Sequence, residues 1–94
     1  MGDERKELEY LEKTMEINPE FPLSYFYVAR ISLNRGERYE EAIALVEKGL
    51  ELKPEKEQLP LGCFLLADLY NRIGDPRKYQ EYLRLGEEAR DRIR

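Results

Sequence analysis

Only a few side chains in this sequence could take part in covalent or acid–base chemistry. The chain has a single cysteine, Cys63, and no histidine that could activate it. Cys63 stands within the apolar stretch 61–66, and a cysteine buried among apolar side chains is usually unreactive. With one cysteine, the sequence has neither an internal disulfide nor a cluster of thiolate metal ligands. We therefore expect Cys63 to be a core residue and not a nucleophile or a redox switch.

The charged residues offer no better catalytic pair. Glu40 and Glu41, like Glu87 and Glu88, are adjacent in sequence, and adjacent side chains point apart on a helix. We expect them on the solvated surface and not as an acid–base pair. Four arginines near the C-terminus fit the negative end of a helix dipole better than a phosphate site; they are Arg84, Arg90, Arg92 and Arg94. The sequence shows no phosphate loop, metal-ligand spacing or nucleophile elbow, so we expect no enzymatic activity, cofactor or metal.

The composition is that of a small acidic protein. The 94 residues allow one domain, and the 41% hydrophobic and 38% charged residues are typical of a soluble helical chain. A net charge of −4 argues against binding to nucleic acid. Residues 1–20 carry seven acids and three bases, whereas residues 59–94 carry six acids and seven bases. No apolar run reaches the roughly 18 residues of a membrane span, and no signal-peptide pattern is present, so we expect a cytoplasmic location and no membrane insertion.

Five segments with helical periodicity must position these residues. Their expected bounds are 3–17, 22–35, 39–52, 60–73 and 76–93. The second and fourth segments are apolar almost all round, whereas the first and fifth each keep one apolar stripe. Gly36 and Gly74 are expected to end the second and fourth helices, and Asp75 to cap the fifth. Two-sided helices inside and one-sided helices at both ends are the order that a stacked array requires.

One sequence pattern occurs three times, with different degrees of completeness. The central copy holds residues 36–43 (GERYEEAI) followed by residues 48–54 (KGLELKP). The upstream copy retains the ending at residues 13–19, and the downstream copy retains the middle at residues 74–83. A repeat of this length is typical of a solenoid of helix pairs. Such a protein presents a surface and rarely carries out chemistry.

The central copy resembles the tetratricopeptide repeat, a helix–turn–helix unit of about 34 residues. It spans residues 22–56, and its turn contains one extra residue. The large, small and turn positions of the family pattern are matched by Tyr25, Val28-Ala29, Gly36, Tyr39, Ala42, Gly49 and Pro54. These signature residues are structural, so they do not identify a ligand.

The rest of the chain resembles the same family less completely. Residues 3–19 form a half repeat that caps the N-terminus. Residues 60–93 form a second repeat that ends in a C-terminal capping helix and is matched at Cys63, Leu66-Ala67, Tyr70, Gly74, Tyr79 and Ala89. Here Tyr82 replaces the small alanine after the turn, and we interpret residues 76–78 as an insertion of about one helical turn. The resemblance thus implies a single all-α domain over residues 1–94, an antiparallel helix–turn–helix solenoid that forms a right-handed superhelix.

The resemblance also implies a concave groove, lined mainly by the first helix of each repeat. The residues mapped to this groove are Phe26, Arg30, Leu33, Asn34, Phe64, Asp68, Asn71 and Arg72. Such a surface suits an extended peptide or a partner helix. In the alternative interpretation, the apolar members Phe26, Leu33 and Phe64 belong to the core and are covered by the first helix. Some family members grip the terminal carboxylate of a peptide with basic and amide side chains. At the matching positions of this sequence, only Arg30 has a suitable charge, so we do not expect that activity.

Six of the seven tyrosines divide into two groups. Four fall at repeat positions that pack between helices and are predicted to be core residues: Tyr25, Tyr39, Tyr70 and Tyr79. Tyr10 and Tyr27 lie off the main apolar stripes and are better candidates for exposed contacts with a partner.

Two functional hypotheses remain open. In the first, the protein is a non-catalytic interaction module whose groove binds a peptide or a helix of a protein partner. In the second, it is an assembly unit that forms homo-oligomers by stacking or swapping helices. The two-sided inner helices and the change from an acidic start to a slightly basic end favour this second hypothesis.

Overall fold

The structure is a computed structural model that describes residues 2–93, and all regular structure in that range is helical. The helices are α1 (Gly2–Ile17), α2 (Pro22–Arg35), α3 (Tyr39–Glu51), α4 (Leu59–Arg72) and α5 (Pro76–Arg92), with a short 3₁₀ helix at Lys56–Gln58. The predicted all-α class with five α-helices is confirmed, and every described helix end lies within one residue of its predicted position.

Two tight turns fold α2–α3 and α4–α5 back into helix pairs. Gly36 ends α2 in the left-handed conformation (φ 72°), and its N–H donates to the carbonyl oxygens of Ser32 and Leu33. Gly74 follows α4 with φ 82°, a backbone conformation that glycine adopts without steric cost. Asp75 then caps α5, because its carboxylate accepts a 3.1 Å hydrogen bond from the backbone N–H of Lys78. The predicted helix-ending glycines and the predicted cap are therefore confirmed.

The helices pack in the order in which they follow one another. α2 contacts α1, α3 and α4, while α4 contacts α2, α3 and α5. The end helices have fewer partners: α1 packs mainly on α2, and α5 on α4 and the 3₁₀ helix. The two inner helices with apolar residues almost all round are thus the ones with several neighbours. This arrangement is compatible with a stacked array of helix pairs.

The core is centred on Phe26, which is fully buried between α3 and α4. Its ring lies against two glycines. A Cβ at Gly49 would stand 2.6 Å from Cε1 of the ring, and a Cβ at Gly62 would stand 2.9 Å from Cζ. Both distances are too short for any side chain, so the two glycines make room for the ring. The other members of this buried cluster are Ala29, Leu33, Ala42, Ile43, Val46, Leu65, Leu66, Leu69 and Tyr70.

The second helix pair repeats this packing and corrects the predicted alignment. Phe64 on α4 lies against Gly86 on α5, where a Cβ would stand 2.7 Å from Cε1 of Phe64. Gly86 therefore corresponds to Gly49, and Ala89, which the sequence alignment predicts for this position, lies about one turn further along. Residues 76–78, which the sequence alignment treats as an insertion of about one helical turn, form the first turn of α5. The turn between α2 and α3 and the turn between α4 and α5 each contain three residues.

Candidate interaction surfaces

Two apolar residues of the predicted groove lie in the core. Phe26 and Leu33 are both buried, because α4 and α3 pack over the side of α2 that carries them. These two residues are therefore core residues and not part of an accessible groove, but they are covered by α3 and α4 and not, as the alternative interpretation expects, by the first helix. Phe64 is half-buried, and the guanidinium of Arg90 lies 5.9 Å from the centre of its ring.

The other predicted groove residues are exposed polar side chains on α2 and α4, which we call the polar face. They are Arg30, Asn34, Asp68, Asn71 and Arg72. Arg30 lies 3.8 Å from Glu7 of α1 and stacks over the ring of Tyr27 at 5.1 Å. Arg72 reaches the hydroxyl of Tyr39 at 3.5 Å. Within residues 2–93, no hydrogen bond or ion pair joins two members of this face. It can orient a charged partner but offers little apolar surface.

A cleft of about 250 Å³ opens on another side of α2, between α1 and α3. It exists because α1 packs mainly on α2, which leaves space between α1 and α3. Its apolar lining comes from all three helices and consists of Leu8, Met15, Val28, Ile31 and Leu45. Of these five, Ile31 is buried and the other four are half-buried. The cleft therefore offers apolar surface that the folded chain does not cover by itself.

Charged residues surround this cleft unevenly. Glu12 stands on the α1 wall and Glu41 on the α3 wall, and among residues 2–93 neither forms an ion pair. The end of the cleft beside the α2–α3 turn carries Arg35, Glu37 and Arg38. The cleft thus has one charged end and one apolar end, with a carboxylate on each wall.

Arg35 is fixed at the charged end of the cleft. Its Nε lies 2.6 Å from a carboxylate oxygen of Glu4, and its Nη1 lies 3.8 Å from Glu37. The hydrogen bond that Arg35 donates to the Glu4 carboxylate raises the pKa of Arg35 above its ordinary value, and the guanidinium stays charged at any physiological pH. The same contact places the N-terminal part of α1 beside the α2–α3 turn.

The outer face of α1 carries two strongly exposed apolar side chains. Tyr10 is 70% exposed and Ile17 is 85% exposed. They lie on the opposite side of α1 from Leu8, Leu11 and Met15, which face the rest of the molecule, and of these three Leu11 is buried. The prediction that Tyr10 is exposed is confirmed, whereas Tyr27 is half-buried beneath Arg30. Ile17 was not predicted as a contact residue; its seven-residue spacing from Tyr10 was the signal that could have identified it.

The remaining tyrosines and the cysteine follow the predicted burial in part. Tyr25 and Tyr70 are buried, as predicted, but Tyr39 and Tyr79 are only half-buried. Cys63 is buried among the core residues, and its burial raises the pKa of the thiol, which disfavours the reactive thiolate. Within the described part of the chain, no three histidine, cysteine, aspartate or glutamate side chains are grouped so as to hold a metal ion.

A shallower depression lies at the start of α3. It has a volume of about 270 Å³ and is lined by Arg38, Tyr39, Glu40, Glu41 and Ile73. Three of its five lining residues are charged, and Ile73 is its one aliphatic member. None of the helices between residues 2 and 93 combines the length and the apolar character needed to cross a bilayer.

The sequence matches no known protein-family model and no curated protein. The similarity to the tetratricopeptide repeat therefore depends on the residues quoted above. The shared packing of Phe26 on Gly49 and of Phe64 on Gly86 shows, independently of any relative, that the two helix pairs are built alike.

Proposed function

We propose that this protein is a non-catalytic, tetratricopeptide-like interaction module that binds a protein segment in the cleft between α1, α2 and α3. The observation that carries the proposal is the set of half-buried apolar side chains that line the cleft, which includes Val28 and Leu45. Uncovered apolar surface of this kind supplies affinity when a partner removes it from water. The sequence contains no histidine and its one thiol is buried, which supports binding over catalysis.

The dimensions of the cleft favour side chains of a protein partner over a small ligand. Pockets that bind drug-sized molecules usually measure about 300–1,000 Å³ and bury most of the ligand, whereas this cleft has about 250 Å³ and is open to solvent. One or two large apolar side chains that project from a partner would fill it. The charged end at Arg35 and Arg38 and the carboxylates of Glu12 and Glu41 would fix the direction of that partner.

The proposal is tested by selecting binders from a library of displayed random peptides. Leu45→Gln removes apolar surface from the α3 wall of the cleft, and Leu85→Gln, a half-buried leucine on α5, is the matched control. We expect selected peptides with closely spaced large apolar residues to bind the wild type and the Leu85 variant, and to lose at least about tenfold in affinity for the Leu45 variant. Peptides that bind all three proteins equally would show that the cleft is not the site.

The same experiment also tests the polar face on α2 and α4 as an alternative binding surface. Arg30→Gln and Arg72→Gln change exposed side chains of that face and leave the cleft intact. If the selected peptides depend on these two arginines and not on Leu45, the interaction surface is the one that the family resemblance implies.

Self-association is a second candidate function, favoured by one observation. The exposed Tyr10 and Ile17 occupy the outer face of an end helix, which a purely polar capping helix would not present to water.

A further inference from the structure

We infer that the partner in the cleft is a second copy of this chain, which inserts Tyr10 and Ile17 from the outer face of its α1. This inference depends on the proposed function of the cleft and names its occupant. Within residues 2–93, the same chain carries an open cleft with an apolar lining and two large, strongly exposed apolar side chains. We call Tyr10, Ile17 and the two lysines that accompany them, Lys6 and Lys13, the α1 stripe.

The α1 stripe and the cleft have the same length. Tyr10 and Ile17 are seven residues apart on one side of α1, which corresponds to about 10 Å along a helix. The floor of the cleft runs from Val28 to Arg35 on α2, which is also seven residues. Both apolar side chains of the stripe can therefore enter the cleft together, one toward each end.

The chemical character of the two ends sets the direction of insertion. The end beside the α2–α3 turn is charged, whereas the end lined by Met15, Val28 and Leu45 is apolar. A tyrosine combines an apolar ring with a polar hydroxyl and suits the charged end, and an isoleucine suits the apolar end. This places Tyr10 nearer Arg35 and Ile17 nearer Leu45. The inserted α1 then runs parallel to the α1 of the receiving copy.

The charges of stripe and cleft are complementary at the walls of the cleft. Lys6 precedes Tyr10 by four residues and Lys13 precedes Ile17 by four, so each lysine lies beside an apolar member of the stripe. The walls of the cleft carry Glu12 and Glu41, which have no ion-pair partner among residues 2–93. Insertion thus brings Lys13 to the carboxylates of the walls, while Lys6 lies on the far side of Tyr10, toward the end that carries Arg35, Glu37 and Arg38.

The same charges disfavour the simpler dimer, in which two α1 stripes face each other. In that antiparallel pair, Tyr10 of one copy would face Ile17 of the other. Lys13 lies near the midpoint between these two residues, so it would meet Lys13 of the second copy. Like charges in contact are destabilising. Stripe-into-cleft contact is heterologous, so it leaves a free stripe and a free cleft at the ends and does not close at the dimer.

The test uses one stripe variant and two cleft variants, each of which disables one half of the contact. Tyr10→Gln with Ile17→Gln removes the stripe by changing two exposed side chains, and Leu45→Gln disables the cleft. A second cleft variant, Glu12→Lys with Glu41→Lys, changes only exposed residues and keeps the test independent of any folding defect in the first. Sedimentation velocity from micromolar to millimolar concentration measures the mass of each protein alone and of the mixtures.

We expect the mass of the wild type to increase steadily with concentration, and each variant alone to associate at least about tenfold more weakly. A mixture of the stripe variant with either cleft variant should restore one contact and yield a discrete heterodimer, with the intact stripe contributed by the cleft variant. A wild type that stays monomeric at millimolar concentration overturns the inference. A cleft variant that still dimerises alone also overturns it, because the stripes would then be pairing with each other. Neither result decides the proposed function, which the peptide selection tests without any need for self-association.

Discussion

The ring of Phe26 lies directly against the backbone of Gly49 and leaves no room for a side chain at that position. Phe64 and Gly86 make the same contact in the second helix pair. The two contacts differ in their surroundings. Phe26 is fully buried and also touches Gly62, whereas Phe64 is half-buried at the surface beside Arg90.

This difference predicts unequal effects of alanine at the two glycines. Alanine favours a helix over glycine by about 1 kcal/mol, but an extra methyl in a filled core costs about 1–3 kcal/mol. Because Phe26 cannot move, we expect Gly49→Ala to lower the free energy of unfolding by about 1–2 kcal/mol. Because the Phe64 ring can shift toward solvent, Gly86→Ala should be close to neutral. Urea denaturation measures both, and equal losses would show that the two rings are equally confined.

Substitution of Ser24 on α2 is expected to stabilise the folded protein. It is fully buried, and its hydroxyl has no hydrogen-bond partner among the described residues. An unpaired buried polar group costs free energy, so Ser24→Ala should raise the free energy of unfolding by about 1 kcal/mol. Ser32→Ala on the same helix changes a half-buried hydroxyl and should gain only the small difference in helix propensity. Thermal or urea unfolding that ranks the two variants in the opposite order would show that Ser24 finds a partner in solution.

The sequence predicts the helices well because each one has its own local signals. The apolar periodicity and residues such as Gly36 and Asp75 determine the helix bounds independently of the tertiary packing. The accessible surface is different, because it depends on which helix covers which. Phe26 and Phe64 occupy equivalent positions, yet the first is fully buried and the second only half-buried. The cleft could not be predicted either, since it results from the spacing of α1 and α3 around α2 and not from any residue pattern.

The stacked rings of Tyr70 and Tyr82 predict a loss of stability in alkaline solution. Their centroids are 5.7 Å apart with nearly parallel planes. Burial raises the pKa of Tyr70 and of Tyr82 above the usual 10.0, and the nearby carboxylate of Glu47 acts in the same direction. The folded state therefore keeps its phenol protons at a pH where the unfolded state has lost them, so the free energy of unfolding falls as the pH rises above about 10. Below that pH both states are protonated, and these two residues cause no change.

Urea midpoints measured at increasing pH test this expectation. Tyr70→Phe and Tyr82→Phe should each flatten the alkaline decline, since neither variant has that phenol to ionise. Tyr10→Phe removes an exposed hydroxyl and is the matched control. A decline of the same steepness in all four proteins would mean that other groups cause it.

Two ion pairs attach α1 to α2. We expect α1 to open locally, independently of the other helices, when these pairs are weakened. Leu11 is the one buried apolar residue of α1, while Glu4 binds Arg35 at 2.6 Å and Glu7 lies 3.8 Å from Arg30. These pairs are partly exposed, so salt screens them. We expect Glu4→Gln with Glu7→Gln to speed amide hydrogen exchange in α1 at low salt, to leave exchange in α4 unchanged, and to have no effect at high salt.

The matched control for α1 changes two glutamates of the same helix that make no ion pair among residues 2–93, Glu9 and Glu16. Glu9→Gln with Glu16→Gln alters the net charge by the same amount but leaves both attachments to α2 in place. Equal acceleration in the two double variants would mean that helix charge, and not the contact with α2, determines the opening of α1. Acceleration confined to the Glu4 and Glu7 variant would show that these pairs hold α1 in place. The α1 wall of the cleft would then become less well ordered as the ionic strength rises, and binding in the cleft should weaken with it.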